Sequence, residues 1–410
     1  MAADEDQLLR KIHSLSDLEL AALLCLIARE HCLISTTIDS VDELTEELGL
    51  VASRTFGLAS VVISCHAHTT LDDFASALLL PQHSSSSPVR SDARSVSPYR
   101  SRHDPPTSGS YFSSRPVGGP SSLSPTTSTA QQTQQSAQIG NVVLAKNLDR
   151  APRAVQIQAL ELLRTRRMFT RTSVQAAPKQ FLFIAIVGAE SGGQAHVTPH
   201  LNDFFYIAHW HDPEDGFANL DELDNDLEDD GASTHSSRSV VKRSSTGTSL
   251  SPLIGSSTSG TFADDGSYLY PTKESATTPG PIFTEQDISR LAQAGQEVRV
   301  DVDVSRYMMN IVSFLRMHRA VGGGVTPTAT KHLEQLAKNL APLHGLDFVT
   351  PSLIGLAVRK VYLHRIKIVA PEKERSVQWG SEVQAIETIL EGIGPEEVID
   401  DVLSMVAAPQ

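Results

Sequence analysis

Apolar and polar positions divide the chain into three segments with the periodicity of folded protein and two segments without it. Residues 1–81, 139–216 and 282–410 carry hydrophobic runs or faces, whereas residues 82–138 are rich in Ser, Pro, Thr and Gln. Residues 217–281 begin with an acidic run and continue through Ser, Thr and Gly. Residues 82–138 and 217–281 cannot bury enough apolar surface to offset the entropy lost on ordering. We therefore expect these two segments to be disordered inserts. The three periodic segments can pack as one unit.

The first two periodic segments predict an α/β core. A capping box at Ser16 opens an apolar helical run, and the β-branched stretch 58–65 predicts a buried strand. In the second segment a strand at 141–146 precedes a helix over 153–167 and an apolar strand at 181–187. Strand, helix and strand at this spacing indicate a partial parallel sheet flanked by helices.

The third periodic segment predicts an all-helical bundle. A helix over 305–319 has one apolar face, and the glycines 322–324 terminate it. Thr326 and Thr350, each followed by proline, place an N-cap before a proline at the first helical position of the next two helices. A further amphipathic helix is expected over 395–406. The expected fold class is therefore α/β with a C-terminal helical bundle, interrupted by two inserts.

Composition and charge limit which binding partners and which cellular compartment we expect. The 410 residues have a formal net charge of −14 and no stripe of Lys and Arg, so nucleic acid is not expected as a partner. The three cysteines form no CxxC pair and no disulfide framework, which favours a reducing compartment. The apolar run 18–28 is too short for a membrane span, and the N-terminus is acidic. We expect no membrane contact and a cytoplasmic location, with the nucleus as an open alternative.

Two regions resemble a known family. Residues 141–152, which read NVVLAKNLDRAP, resemble the Walker B segment of the MoxR and magnesium-chelatase branch of AAA+ ATPases. Residues 324–328, 345–351 and 364–366 resemble the helical lid of the same branch. The resemblance implies an AAA+-like core with a lid-like bundle and, in an active member, ATP and magnesium as cofactors.

The resemblance also implies that the nucleotide site is degenerate. The chain contains no Gly-Lys dipeptide and so no phosphate-binding loop. Lys146 and Asn147 stand where the branch has its magnesium-binding Asp and water-activating Glu, and Gly188 replaces a polar sensor residue. Asp203 stands in place of an arginine finger, and Thr328 replaces a lid arginine. We therefore expect no catalytic residue, no bound cofactor and no metal at these five positions.

Three functions are compatible with this pattern. The first is a non-catalytic scaffold or regulatory subunit that binds protein partners and forms homo- or hetero-oligomers with AAA+ proteins. The second is an ATP-dependent, magnesium-chelatase-like ATPase for metal insertion or protein remodelling, which the missing phosphate loop disfavours. The third is a phospho-regulated adaptor, since Ser97 and Ser251 precede proline and Ser244 follows Lys-Arg.

Other candidate chemistry is weaker. His209 and His211 lie on one face of a strand, but no further Cys or His follows at a ligand spacing, so a surface or turn role is expected. No Gly-x-Ser-x-Gly motif occurs, which leaves a serine hydrolase unsupported.

Overall fold

The structure is a computed structural model that describes residues 2–80, 138–169, 174–189, 197–229 and 280–409. Residues 82–137 of the first expected insert lie outside these ranges, and so do residues 230–279 of the second. The candidate phosphorylation sites Ser97, Ser244 and Ser251 fall in these two stretches and are likewise outside the described residues.

The described chain alternates strands and helices in its first half and is mainly helical in its second half. The strands are β1 (Cys32–Thr36), β2 (Ser60–Ser64), β3 (Val142–Lys146), β4 (Arg167–Phe169), β5 (Val174–Ala176), β6 (Leu182–Gly188), β7 (Ile207–Trp210), β8 (Val321–Gly323) and β9 (Lys367–Ile368). The helices are α1 (Ala2–His13), α2 (Asp17–Ala28), α3 (Val41–Leu50), α4 (Leu71–Ala77), α5 (Arg153–Thr165), α6 (Pro199–Phe204), α7 (Ala218–Asp229), α8 (Glu285–Glu297), α9 (Val302–Met317), α10 (Pro327–Leu343), α11 (Pro351–Tyr362), α12 (Val383–Leu390) and α13 (Pro395–Met405).

Five strands form one parallel sheet in the order β2-β3-β6-β1-β7. The predicted strands at 58–65, 141–146 and 181–187 correspond to β2, β3 and β6. Strand β1, which lies between β6 and β7, is not among the predicted strands. Residues 32–36 follow the apolar helix α2 after three residues, so their hydrophobic run merges with that of the helix. The α/β prediction is confirmed, and its sheet gains an unpredicted inner strand.

Helices cover both faces of the sheet, and successive strand residues point to opposite faces. On one face Ile34 and Ile184 pack with α2, α3, α8 and the C-terminal helices. On the other face Leu33 and Phe183 pack with α4, α5 and α6. Because both faces are covered, the inner strands are apolar throughout, as expected for a parallel sheet.

The C-terminal helices pack on the first of these faces and form the expected bundle. Thr326 and Thr350 cap α10 and α11 through hydrogen bonds from backbone N–H groups three residues on, and proline follows each cap. Four side chains that a lid-like bundle should bury are buried in the structure: Ile311, Leu336, Leu340 and Val358. The three cysteines are buried and carry free thiols.

The start of the second insert differs from its predicted position. Residues 217–229, predicted as part of that insert, include helix α7. Its start is held by Glu47, whose carboxylate accepts hydrogen bonds from the backbone N–H groups of Asn219 at 3.2 Å and Leu220 at 3.0 Å. An acid at a helix N-terminus satisfies unpaired N–H groups and complements the helix dipole, so the acidic composition did not prevent folding.

The glycines 322–324 also do more than terminate a helix. Val321–Gly323 form β8, which pairs antiparallel with β9. Gly324 has φ +102°, and a Cβ there would lie 1.8 Å from the carbonyl oxygen of Arg365. Only glycine allows this close approach. Within the described ranges, no helix is long and apolar enough to cross a membrane.

Candidate functional site

The carboxyl ends of β1, β3 and β6 lie side by side at one edge of the sheet. Thr36 is aligned with Gly188, and Lys146 is aligned with Ile186. Open α/β sheets bind ligands at this edge, where the loops after the strands meet. Three of the five singled-out positions, Lys146, Asn147 and Gly188, are brought together here.

The loop after β1 is short and contains no glycine. Thr36 is fully buried at the end of the strand, and residues 38–40 form a single 3₁₀ turn that leads into α3. The first turn of α3 carries Asp42 and Glu43. A phosphate site at a helix N-terminus needs free backbone N–H groups and a positive field, and two acids at this position oppose an anion.

Gly188 allows this loop to close onto the sheet. A Cβ at position 188 would lie 3.1 Å from Cα of Ile38 and 3.2 Å from Cγ2 of Val41. These distances are tighter than ordinary van der Waals contact, so a larger side chain would push the loop away. The space beside the end of β6 is therefore filled by the protein itself.

Lys146 forms an ion pair with Asp42 across the same edge. The Lys146 side chain is mostly buried with 18% exposed, whereas Asp42 is 77% exposed. A cation stands at the end of β3 and an acid stands at the start of the helix after β1. This is the reverse of the charges that the family resemblance associates with a metal and phosphate site.

Asn147 has a structural reason for its identity. Its φ of 53° and ψ of 42° place it in the left-handed region, which asparagine tolerates better than most residues with a Cβ. Its backbone N–H donates to the carbonyl of Ile186 at 2.8 Å, and its carbonyl accepts from Arg150 at 3.0 Å. The chain turns sharply here after β3.

Asp203 lies away from this edge, at the end of α6, and points into the contact with the lid helices. Its Oδ1 accepts a hydrogen bond from the Thr326 hydroxyl at 2.6 Å and lies 3.4 Å from Nε of Arg365. Thr326 also caps α10. Thr328 is half-buried in the first turn of the same helix. Asp203 thus belongs to the core–lid contact, and Thr328 lies on a lid helix, so neither is part of the edge with Lys146.

Arg365 is the polar centre of that contact, and the sequence marks it only as part of the lid-like motif 364–366. Its side chain is 2% exposed. The guanidinium donates to the backbone carbonyls of Asp203 at 3.1 Å and Tyr206 at 3.4 Å, and also to those of Phe205 and Val361. Burial lowers the pKa of Arg365 to about 10, so the group stays charged at neutral pH. One cation therefore satisfies carbonyls from both the core and the lid.

Two histidines complete this cluster. Nδ1 of His332 lies 2.7 Å from Nη2 of Arg365 and accepts its hydrogen bond, since arginine has only donors. Burial and then the Arg365 charge lower the pKa of His332 to about 3. The pKa of His364 is also lowered well below its usual value, first by burial and then by Arg365. Both rings are neutral in the folded protein at neutral pH.

His209 lies in β7 and His211 follows that strand, and both residues are buried, so the expected surface or turn role is wrong. Nδ1 of His209 lies 3.0 Å from Nζ of Lys360, and the ring of His211 packs 5.0 Å from that of Phe217. Across the residues that the structure describes, no group of three or more His, Cys, Asp or Glu side chains is placed to hold a metal ion.

Comparison with known proteins supports the architecture. Residues 313–389 match the AAA lid domain family. The solved structure of a proposed ATPase from Cytophaga hutchinsonii superposes with a TM-score of 0.56 at 13% identity, covering 100% of this chain and 98% of that one. At this identity the likeness shows the fold alone. The chain thus has an AAA+-like fold, with an α/β core and a helical segment that is similar to the AAA lid domain family.

Curated relatives match shorter segments. The uncharacterized protein YeaC of Bacillus subtilis is 28% identical over 129 residues, which are 32% of this chain and 35% of that protein. Maintenance of telomere capping protein 2 of Lachancea thermotolerans is 28% identical over 105 residues, 24% of this chain and 37% of that protein. Its namesake from Kluyveromyces lactis is 26% identical over 92 residues, 21% of this chain and 34% of that protein. The chain thus spans about a third of the length of these relatives.

The Arg365 cluster predicts a large loss of stability on removal of the guanidinium. We expect Arg365→Met to lower the free energy of unfolding by about 3–5 kcal/mol, because buried carbonyls lose their donor and Asp203 loses its partner. Arg359→Met is the matched control, since Arg359 is half-exposed and pairs with Asp400 at the surface. It should cost less than about 1 kcal/mol. Urea unfolding measures both, and equal losses would contradict the assigned role of Arg365.

His332 predicts a specific pH dependence. The folded pKa of about 3 lies below the usual 6.5, so the unfolded chain binds a proton that the folded chain refuses. Its contribution is fully present above pH 6.5 and is lost as pH falls toward 3. His332→Asn keeps an acceptor near Nδ1 and removes the titration. The variant should gain about 2 kcal/mol relative to wild type between pH 7 and pH 5.

Urea unfolding at several pH values checks this difference. Glu30, whose pKa burial raises to about 7, works in the opposite direction over part of this window. It is present in both proteins and cancels in the comparison. Parallel stability curves for the two proteins would show that His332 is not buried as a neutral ring.

Proposed function

We propose that this protein is a non-catalytic AAA+-type scaffold or regulatory subunit that binds other proteins. The observation that carries the proposal is the closed carboxyl edge of the sheet, where the β1–α3 loop packs on Gly188 and Lys146 pairs with Asp42. The contacts between core and lid around Arg365 lie away from this edge. Because fold alone does not fix function, the choice between an ATPase and a non-catalytic protein depends on the residues at this edge.

ATP with magnesium does not fit the residues at this edge. Magnesium prefers carboxylate and phosphate oxygens, and the end of β3 presents the ammonium group of Lys146. Phosphates need backbone amides and positive charge, whereas the loop before α3 lacks glycine and the helix begins with acids. No catalytic step through a nucleotide is therefore assigned.

The finer family assignment is part of the proposal. The sequence resemblance favours the MoxR and magnesium-chelatase branch, with the five singled-out positions as lost nucleotide-site residues, and the AAA lid match supports only the broader AAA+ assignment. The competing function is an ATPase of that branch for metal insertion or protein remodelling. Nucleotide binding discriminates between the two.

We expect the full-length protein to show no micromolar affinity for ATP with magnesium and no phosphate release above buffer. The matched variant Lys146→Asp/Asp42→Lys reverses the ion pair and should keep the melting temperature, yet it should still not bind ATP because the loop is unchanged. Lys146→Asp/Asn147→Glu should also stay inactive. Calorimetry and a phosphate assay measure these outcomes. Micromolar binding by wild type would favour the ATPase alternative.

The names of the two yeast relatives suggest the kind of protein assembly in which this protein could take part. Both are named for maintenance of telomere capping, and we propose that the scaffold serves protein assemblies of that kind, as a homo- or hetero-oligomer. The aligned segments cover less than a quarter of this chain. The proposal therefore concerns a shared protein-binding role and not a shared reaction.

Complementation tests this setting. In Kluyveromyces lactis cells that lack their telomere-capping maintenance protein, we expect expression of this chain to restore the lost phenotype. Lys146→Ala should restore it equally, because no reaction depends on Lys146, whereas Arg365→Met should fail through loss of folding. A failure of wild type at normal expression would remove the telomere setting. A failure of Lys146→Ala alone would contradict the non-catalytic role.

A further inference from the structure

A cavity separates the core from the lid at one point. It has a volume of about 340 Å³ and lies between α2 and β7 on the core side and α10 and α11 on the lid side. Cavities of this size hold small molecules in other proteins. Its wall is mainly aliphatic and includes Leu20, Leu24, Ile207, Leu336, Leu340 and Leu356.

One corner of this cavity is polar. Nζ of Lys360 lies 3.0 Å from Nδ1 of His209, and His209 is 7% exposed. Because an ammonium group has only donors, Nδ1 must be the acceptor and the imidazole is neutral. Burial and then the Lys360 charge lower the pKa of His209 to about 4, in agreement with this geometry.

Within the described part of the chain, Lys360 forms no ion pair, and Asp17 is the carboxylate that shares the cavity wall with it. Burial lowers the pKa of Lys360, and the nearby Asp17 partly opposes this. The half-buried ammonium group of Lys360 has three donors, and His209 accepts from only one of them, so a carboxylate at this corner of the cavity would accept from the others.

We propose that this cavity binds a small apolar monocarboxylic acid, with its hydrocarbon part between the leucines and its carboxylate at Lys360. The aliphatic wall selects an apolar body, and the ammonium group selects an anionic end. A bulky anion such as a nucleotide does not match the wall. Since the wall is built by both core and lid, the bound acid stabilises their packing by linkage.

Titration of the full-length protein with octanoate tests the proposal. We expect saturable binding at one site by calorimetry and a rise in melting temperature. Octan-1-ol, which has the same chain without the charge, should bind at least tenfold more weakly. Lys360→Met, which keeps the length of the side chain, should weaken octanoate at least tenfold and leave octanol unchanged, whereas Lys360→Arg should retain octanoate.

Three outcomes would overturn the proposal. The first is no saturable octanoate binding by wild type at millimolar concentration. The second is octanol binding as tight as octanoate, which would remove the role of the ammonium group. The third is an unchanged octanoate affinity in Lys360→Met, with thermal melts confirming that the variant is folded.

Discussion

The enclosed charge of Arg365 fixes how the lid lies on the core. The chain passes directly from the short helix α6 to the edge strand β7. Backbone carbonyl groups in this connection have no partner within a helix or a sheet. Arg365, in the turn that follows α11, supplies donors to the carbonyls of Asp203, Phe205 and Tyr206. Because buried carbonyls must be paired, the lid can occupy few other positions without leaving them unsatisfied. The rings of His332 and His364 are neutral first because they are buried and second because this cation lies beside them.

Much of the fold follows from local sequence patterns. The Thr-Pro caps located α10 and α11, and the β-branched runs located β2, β3 and β6. The strand β1 was missed because a fully buried inner strand has no alternation to separate it from the apolar helix before it. Helix α7 was missed for another reason, since Glu47 lies 172 positions before the N–H group of Asn219 that it caps. The amino-acid composition around α7 does not indicate that a distant residue caps the helix.

The site was partly predictable in the same sense. The five positions were singled out from a family pattern, but their new partners come from distant sequence. Lys146 finds Asp42 at a separation of 104 positions, and Asp203 finds Thr326 at a separation of 123. Gly188 is explained only by the loop that packs on it. Arg365 was visible as part of a lid motif, yet its role rests on backbone carbonyls, which no side-chain pattern marks.

The same contacts bear on whether a nucleotide cycle is physically reasonable. A lid that moves with a nucleotide must exchange one set of favourable contacts for another of similar free energy. Here movement of α10 and α11 would separate Thr326 from Asp203 and expose the Arg365 cluster, and the closed edge at Lys146 offers no bound phosphate to offset that loss. Because the lost contacts of Thr326 and Arg365 would not be replaced by phosphate contacts, one fixed arrangement of core and lid is favoured. A fixed arrangement suits a protein that presents a constant surface to its partners better than one that works by alternating between states.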